Sequence, residues 1–466
     1  MIKKLIILFK IARKLALSDT LNIISKTHKP PFSIKIFFKL FSFSFSKKDQ
    51  INFNVKEEER FSNSLQSMGT TFIKLGQFLA TRPDIIGDEL SRQLETLQDK
   101  LPPFPTNEAK EIIKQDLGDK VFKSLINISE PVAAASIAQV HKAQINDKGI
   151  LKDVAIKILR PNIKKIFNEE IDALMLLAYF AESIIKKTKR LKLVEVVFLL
   201  KEITNHEMDL RFEAAAANEY AENTKNDLGF KVPEIYWTFT SQNVLTLDWI
   251  EGVSIRETEI LQNKNIDTNK IATNIIQHFL RHAIRDGFFH ADMHQGNIFI
   301  DNNSQIIPID FGIMGRLDKL NKRFLAEILF GFIKRDYKKV AEVHILAGLV
   351  PKNVSIDDLA QALRSIGEPI FGHSVKDISG GKLLKQLFEI TEKFNMQTQP
   401  QLLLLQKTMV VVEGVARKLN PNTNIWETSR PVLENWLKET KDPINYLNET
   451  IENTSEVIKR LPELPE

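Results

Sequence analysis

The feature that most limits the possible folds is a segment in which two short acidic motifs enclose a strand-turn-strand pattern. The motifs are HADMHQGN (290–297) and DFG (310–312), and between them two short apolar runs flank a turn-forming Asp-Asn-Asn centre (301–303). Asp292 and Asn297 are separated by four residues, and Asp310 opens the second motif. The pattern predicts a hairpin that carries these three polar side chains.

This order and spacing match the catalytic segment of kinases, where an Asp orients the acceptor and an Asn and the DFG Asp bind Mg²⁺. We therefore predict that Asp292 and Asp310 are catalytic and that Asn297 and Asp310 bind the metal ion. Lys157 ends a Val-Ala-Ile-Lys sequence, the position of the kinase lysine that contacts the α and β phosphates. The expected ligands are ATP or ADP with Mg²⁺.

The segment that corresponds to a kinase phosphate loop contains alanine where kinases have glycine. Alanine carries a Cβ and resists positive φ, so this backbone cannot wrap its amides around phosphates as a glycine loop does. We therefore expect nucleotide preference or phosphate geometry to differ from that of a protein kinase. The predicted nucleotide-binding residues of this Ala-rich loop are Val132, Ala133, Ala134, Ala135, Ser136, Ile137, Ala138, Gln139 and Val140.

The apolar pattern predicts an α+β protein in which a small lobe with strands precedes a larger helical lobe. Strands are predicted at 154–159, 232–237 and 244–250, and a long helical region at about 168–223. The apolar segment 402–419 is predicted to be a buried helix of the second lobe. Contact of that helix with a membrane or a quinone precursor is the alternative.

The chain has no cysteine, which excludes disulfides, thiolate catalysis and zinc-thiolate sites. Four histidines, at 278, 282, 290 and 294, lie close together in sequence. Because His278 and His282 lie on a predicted helix without a matching acidic triad, a zinc site is not expected.

Residues 1–50 form a basic arm with eleven Lys or Arg and two acids, although the whole chain has a net charge of only +5. The rest of the chain is therefore mildly acidic, and nucleic acid is not an expected partner. The arm is also apolar, with six phenylalanines in 31–48, but no stretch is long enough to span a bilayer. This composition favours shallow contact with an anionic membrane, and an amphipathic helix packed on the protein body is the alternative.

The Ala-rich loop, VAIKILRP (154–161), HADMHQGN and DFG together resemble the UbiB/ADCK family of atypical protein-kinase-like proteins. Two further motifs strengthen the resemblance. KLGQ (74–77) matches the KxGQ motif of that family, and EMD (207–209) matches its ExD motif. The resemblance covers the chain from about Phe61 to the helices beyond Gly312.

The resemblance implies a helix-rich, two-lobed protein kinase-like fold with an N-terminal helical KxGQ extension. Residues 1–50 would form a membrane-associating arm and residues 51–130 the KxGQ extension. Residues 131–250 would form the kinase-like N-lobe with the Ala-rich loop, and 251–466 the helical C-lobe with the HAD and DFG motifs.

The resemblance also implies roles for further residues. Lys74, counted among the catalytic residues, would meet the acids Glu207 and Asp209 near the nucleotide. Glu213 would pair with Lys157 as the kinase αC glutamate does. Glu170 is a rival for that role because it lies closer to the strand in sequence, and the motif match favours Glu213.

The function implied is that of an ATPase or a small-molecule or lipid kinase that supports ubiquinone (coenzyme Q) biosynthesis. The expected partners are membrane lipids, quinone precursors and ubiquinone-biosynthesis enzymes, at the cytoplasmic face of the bacterial inner membrane. The second hypothesis is a nucleotide-switched lipid- or partner-binding module without productive phosphoryl transfer. A conventional protein kinase is the third hypothesis, which both the Ala-rich loop and Lys74 oppose.

Two departures from related sequences refine these expectations. Ala291 stands where kinases have the Arg of HRD, so regulation by a phosphorylated activation loop is not expected. Many bacterial members of the family end in two hydrophobic helices, which the segment up to Glu466 does not resemble. Peripheral attachment through the N-terminal arm is therefore expected.

Overall fold

A computed structural model describes residues 57–80, 101–147, 149–184, 192–351, 353–372 and 400–440, with single positions between these ranges (86, 93, 94, 97, 390, 393, 394 and 396). The predicted membrane-associating arm, residues 1–50, lies outside the described residues. The chain divides into two compact units. The first contains the described residues up to Ala214 together with Ile235–Trp249, and the second contains Ala215–Glu234 and the described residues from Ile250 onward.

The first unit contains a five-stranded antiparallel sheet. Its order is β1-β3-β4-β5, with β2 also paired to β3. The strands are β1 (Leu125–Ile126), β2 (Pro131–Ala134), β3 (Ala138–Asp147), β4 (Ile150–Leu159) and β5 (Val244–Asp248). The strands predicted at 154–159 and 244–250 are confirmed, and the first of them is longer than predicted.

Strand β4 has one face in the core of the first unit. Val154, Ile156 and Ile158 are completely buried and share that core with Ile113 of the helix that precedes the sheet. Because successive side chains of a strand point to opposite faces, Lys157 lies on the other face of the sheet. The short β-branched run that predicts this strand in the sequence therefore also places Lys157 on the face away from the core.

The helices of the first unit are α1 (Glu57–Met68), α2 (Thr70–Ala80), α3 (Thr106–Phe122), α4 (Ile163–Ile184), α5 (Leu193–Glu207) and α6 (Leu210–Thr224). The long helical region predicted at 168–223 is thus three helices. The Asp209 carboxylate accepts the Arg211 amide at 3.2 Å, a bond typical of a helix start, so a new helix begins there. The chain passes from the first unit to the second within α6.

The prediction of a strand at 232–237 is wrong. Ile235 forms a single bridge with Leu247, and Trp237–Phe239 is a turn of 3₁₀-helix. Pro233 has no amide hydrogen to donate to a ladder, which breaks the pairing in the middle of the apolar run.

The second unit is mainly helical. Its strands are β6 (Gly252–Ser254), β7 (Phe288–His290), β8 (Ile298–Asp301), β9 (Ile306–Pro308) and β10 (Met314–Arg316). Its helices after α6 are α7 (Thr258–Asn263), α8 (Thr268–Arg281), α9 (Lys319–Lys334), α10 (Tyr337–Leu346), α11 (Ile356–Gly372), α12 (Pro400–Leu419) and α13 (Ile425–Thr440). The predicted α+β, helix-rich class is confirmed.

The hairpin predicted between the two acidic motifs is present as β8 and β9, with β6 as a third antiparallel strand. The Asp301 carboxylate accepts the backbone amides of Asn303 at 2.9 Å and Gln305 at 2.8 Å, which closes the turn. The catalytic motifs therefore stand at the two ends of a short, locally closed hairpin.

Helix α8 lies at the centre of the second unit. Its residues Ile271, Ile275 and Phe279 are buried, and both α12 and α13 pack against it. The predicted buried helix at 402–419 is therefore confirmed as α12, in which Leu405 and Val412 are buried. Of the helices that the structure describes, none is both long enough and apolar enough to cross a bilayer.

Candidate functional site

The first unit brings the strand lysine and the predicted αC-type glutamate together. Lys157 Nζ lies 2.7 Å from Glu213 Oε1 and 2.9 Å from Oε2. Strand β4 supplies the lysine and the first turn of α6 supplies the glutamate, and both side chains are largely buried. The two bonds fix the ammonium group on the face of the sheet that is opposite to the core.

The Ala-rich loop is a strand-turn-strand segment whose tip is held by neighbouring side chains. Arg160 Nη2 donates to the Ala135 carbonyl at 2.8 Å, and the Arg160 amide donates to the Ile137 carbonyl at 2.8 Å. The Thr70 hydroxyl, from the start of α2, donates to the Ser136 carbonyl at 2.9 Å. Every residue from 131 to 140 is described and all have negative φ, as expected for alanine in place of glycine.

The predicted nucleotide-binding residues of this loop differ in exposure. Val132 and Ala133 are exposed, Ala134, Ala135 and Val140 are half-buried, and Ser136, Ile137, Ala138 and Gln139 are buried. The Gln139 amide makes two bonds to the Phe104 backbone, accepting from its N–H at 2.9 Å and donating to its C=O at 3.2 Å. The Gln139 side chain thus ties β3 to the segment before α3.

Helix α2, which carries the KxGQ motif, is joined to the ExD motif by an ion pair. Lys74 Nζ lies 2.6 Å from Glu207 Oε2, and both side chains are mostly buried. Asp209, the other acid of the motif, accepts hydrogen bonds from the Arg211 guanidinium at 2.7 and 2.9 Å, from the Arg211 amide at 3.2 Å and from Gln242 at 3.4 Å. The Arg211 guanidinium holds the pKa of the Asp209 carboxyl below its usual value.

The glycine of the KLGQ sequence is required by close packing. A Cβ placed on Gly76 would lie 2.6 Å from a methyl of Leu97 and 2.9 Å from a methyl of Leu65, so both neighbours would have to move. This packing holds α2 close to α1, with Phe72 and Ile73 buried beside it.

In the second unit, His290 connects the two acidic motifs. Its Nδ1 accepts the Asp292 amide at 3.1 Å, and its Nε2 donates to the Asp310 carbonyl at 2.5 Å. Because Nδ1 accepts an N–H, the ring is neutral with its proton on Nε2, and burial lowers the pKa of His290 in the same sense. A single buried imidazole therefore fixes the backbone at Asp292 and at Asp310.

The predicted catalytic Asp and the predicted metal ligand Asn lie side by side. Asn297 Nδ2 donates to the Asp292 carbonyl at 3.1 Å and to the Asp292 carboxylate at 3.3 Å. Because the amide nitrogen is used in these bonds, Oδ1 is the Asn297 atom suited to a cation. Asp310 is half-buried, and its Oδ1 accepts the Gly312 amide at 3.0 Å.

The oxygen atoms of Asn297 and Asp310 are the donors that Mg²⁺ prefers, and the ammonium group of Lys157 suits phosphate oxygens. The second unit therefore has side chains that suit the metal ion of a magnesium nucleotide, and the first unit has one that suits its phosphates. Phe311, between Asp310 and Gly312, is buried against the rings of His290 and Tyr220, at centroid distances of 5.9 and 6.3 Å. This packing holds the DFG backbone in one place.

A buried polar cluster was missed at the sequence level. Asp227 lies beside His278 and His282, and their ligand atoms are within 4.8 Å of one another, so the two histidines do have an acidic neighbour. Sequence spacing could not find it, because Asp227 precedes α8 by a long interval. The expected absence of a zinc site stays a prediction.

The bonds within this cluster favour a structural role over a metal site. Arg285 donates to both oxygens of Asp227, at 2.7 and 3.0 Å, and His282 donates to one of them at 2.9 Å. Burial alone would raise the pKa of Asp227, but the bonds from His282 and Arg285 hold it well below its usual value. Burial lowers the pKa of His278 to about 3. A cation would have to displace the Arg285 guanidinium from the carboxylate.

Comparison with known proteins gives a consistent result. Residues 96–344 match the model of the ABC1 atypical kinase-like domain, and residues 363–424 match the UbiB helical domain. A protein of Marinobacter nauticus named "Probable protein kinase UbiB" is 36% identical over 94% of this chain and 79% of its own length. A protein of Pseudomonas paraeruginosa with the same name is 38% identical over 87% of this chain and 76% of its own.

The fold is also found among solved structures. One of them is that of Rv3197 in complex with erythromycin, from Mycobacterium tuberculosis, which is 24% identical to this chain with a TM-score of 0.51. The match covers 79% of this chain and 93% of the other.

Proposed function

Because the chain belongs to the UbiB family of ABC1 atypical kinase-like proteins, we propose that it binds ATP or ADP with Mg²⁺ and acts as an ATPase or a small-molecule or lipid kinase. The observation that carries this proposal is the arrangement around His290. One neutral imidazole holds the backbone of Asp292 and of Asp310, and Asn297 is bonded to Asp292. These are the three side chains that kinase-type phosphoryl transfer requires.

Each residue has a defined role in this proposal. Lys157, fixed by Glu213, binds the α and β phosphates, while Asn297 and Asp310 hold Mg²⁺ through oxygen atoms. An Mg²⁺ ion held by these two residues would neutralise charge on the phosphate oxygens. Asp292 orients a hydroxyl group or a water molecule and accepts its proton. The Ala-rich loop lies along the nucleotide without the amide cradle of a glycine loop.

The direct test is Mg²⁺-dependent phosphate release by the purified full chain, with and without anionic liposomes and a phenolic quinone-precursor mimic. Asp310→Asn removes a charged metal ligand and should abolish release. Asp357→Asn is the matched control, because the Asp357 side chain is 86% exposed on α11 and should tolerate the same change. If no condition produces release although nucleotide still binds, the enzymatic proposal fails.

A second candidate function is a nucleotide-switched lipid- or partner-binding module without phosphoryl transfer. The bond from Thr70 to the Ser136 carbonyl favours it, because it joins the Ala-rich loop directly to α2 and its KxGQ motif. A nucleotide that moves the loop would also move α2 and the Lys74–Glu207 pair. Retained nucleotide binding, with lipid or partner affinity that changes when nucleotide is added and no phosphate release, would support this candidate.

We further propose that the partners are membrane lipids, quinone precursors and ubiquinone-biosynthesis enzymes, at the cytoplasmic face of the bacterial inner membrane. An exposed apolar surface on α4 and α5 supports the membrane part, because Tyr179, Phe180 and Phe198 are each more than half exposed. A shallow apolar groove of about 390 Å³ lies beside them. The sequence that joins the two helices, 185–192, has five Lys or Arg and no acid, which suits anionic lipid.

A further inference from the structure

Helix α12 contacts the segment that carries the catalytic Asp at two points. The Thr408 hydroxyl lies 3.0 Å from the Ala291 carbonyl oxygen, and Lys418 Nζ lies 2.9 Å from Gln295 Oε1. Thr408 and Lys418 are ten residues apart on one helix, so about 15 Å of its length borders the HADMHQGN segment. This helix belongs to the part of the chain that matches the UbiB helical domain, outside the kinase-like match.

The contact at Thr408 is completely buried. Thr408 has no exposed surface and Ala291 is 8% exposed. The hydroxyl proton is shared between two acceptors, the Ala291 carbonyl at 3.0 Å and the Leu404 carbonyl one helical turn earlier at 2.8 Å. The Leu404 carbonyl is also the regular helical acceptor of the Thr408 amide. The Ala291 carbonyl, in contrast, lies just beyond the end of strand β7, outside a regular strand pairing.

The peptide group that receives this bond is the one that leads into Asp292. Its carbonyl belongs to Ala291 and faces Thr408, and its amide belongs to Asp292 and donates to His290 Nδ1 at 3.1 Å. Because a peptide group is planar, holding its oxygen on one side and its nitrogen on the other fixes the orientation of the whole plane. That orientation sets the direction in which the Asp292 side chain leaves the backbone.

We propose that Thr408 is a positioning residue for Asp292, which acts by holding the Ala291–Asp292 peptide plane from the helical domain. The inference rests on the proposed function and adds to it a residue outside the kinase-like match. Thr408 does not touch the reacting atoms. Its contribution is to keep the Asp292 carboxylate at the angle that proton transfer from the acceptor requires.

The predicted kinetic signature is a change in turnover without a change in nucleotide binding. Thr408→Val keeps the shape of the side chain and removes the hydroxyl, so kcat for Mg²⁺-dependent phosphate release should fall about tenfold. KM for ATP should stay within about twofold, because no contact to the nucleotide is lost. Thr408→Ser restores the hydroxyl and should recover most of kcat.

The matched control is Thr224→Val. Thr224 is also buried, and its hydroxyl makes the same bond to the carbonyl one helical turn earlier, Tyr220 at 2.7 Å. Thr224→Val therefore reports the cost of losing such a helical bond alone. We expect its kcat to equal that of the wild type. An equal loss of kcat in Thr224→Val and Thr408→Val, or no loss in Thr408→Val, would overturn the proposal.

A second readout does not depend on turnover. Amide hydrogen exchange of the peptide that contains residues 290–297 should be faster in Thr408→Val than in the wild type, and unchanged in Thr224→Val. If the wild type releases no phosphate, the proposed function fails, and the exchange measurement alone decides whether Thr408 holds this segment. If Thr408→Val does not fold, Thr408→Ala takes its place. Unchanged exchange in a folded Thr408 variant contradicts the inference.

Discussion

Lys157 Nζ bonds to both carboxylate oxygens of Glu213, at 2.7 and 2.9 Å, although the two residues are 56 positions apart in sequence. The side chains are only 14% and 7% exposed. Placing two charges in such an environment is costly, and the cost is offset only when both partners are present and well oriented. The pair is therefore better explained by the need to hold an ammonium group in a fixed direction than by stability.

Breaking this pair should destabilise the protein strongly. Lys157→Met leaves a buried carboxylate without its cation and should lower the free energy of unfolding by about 3 kcal/mol. The double variant Lys157→Met with Glu213→Leu removes both charges and should recover most of the lost stability. Neither the single nor the double variant should bind nucleotide normally. Urea unfolding and nucleotide titration measure the two effects. A Lys157→Met protein as stable as the wild type would contradict the prediction.

The bond from α2 to the Ala-rich loop can be tested with two adjacent threonines. Thr70→Val removes the donor to the Ser136 carbonyl and should cost about 1 kcal/mol, with faster amide exchange in the loop. Thr71→Val is the control, because the buried Thr71 hydroxyl has no hydrogen-bond partner among the described residues. Its replacement should be neutral or slightly stabilising. Equal effects of the two substitutions would show that the bond is unimportant.

The buried cluster around Asp227 predicts a pH dependence of stability. The pKa of His278 is about 3 in the folded protein and about 6.5 when the chain is unfolded, so the unfolded state binds more protons between these values. Stability should therefore fall as the pH drops below about 6.5, by up to about 1.4 kcal/mol per pH unit for this group. The pKa of His282 is also lowered and adds to the same trend.

Chemical unfolding between pH 5 and pH 7 measures this slope. His278→Gln removes one titrating group and should make the dependence on pH shallower. An unchanged slope in this variant would mean that His278 is already protonated in the folded state.

The membrane proposal makes two separable predictions. Removing residues 1–48 should move the protein from the membrane fraction to the soluble fraction while nucleotide affinity stays the same. Phe180→Ser together with Phe198→Ser should weaken binding to anionic vesicles further. Leu228→Ser is the control, because Leu228 is a 92% exposed apolar residue on the second unit. Unchanged fractionation after the deletion would contradict the role of the arm.

The parts of this protein that were predicted correctly depend on local patterns. The β-branched run that predicts β4 and the turn chemistry of Asp301 act within a few residues, so both elements could be recognised from sequence. The segment 232–237 has a similar composition but is not a strand, because Pro233 interrupts the ladder and pairing depends on a partner strand that sequence does not show.

In the candidate site, too, local sequence patterns could be predicted and long-range contacts could not. The spacing of Asp292, Asn297 and Asp310 predicted a shared chemistry, and the structure shows that His290 holds the first and the last of them together. The contribution of Thr408 could not be predicted, because its bond joins residues 117 positions apart and a lone threonine in an apolar helix carries no signal. Every residue has a backbone carbonyl, so a long-range contact to one requires no particular residue there and produces no recognisable sequence motif.

The Mg²⁺ dependence of nucleotide affinity tests directly whether Asp310 binds the metal ion of a magnesium nucleotide. ATP binding by the wild type, Asp310→Asn and Asp357→Asn should be measured by calorimetry with Mg²⁺ and with a chelator. We expect Mg²⁺ to strengthen ATP binding to the wild type and to Asp357→Asn but not to Asp310→Asn. In chelator, the affinity of Asp310→Asn should equal that of the wild type. Equal Mg²⁺ dependence in all three proteins, or no nucleotide binding to the wild type, would contradict this role of Asp310.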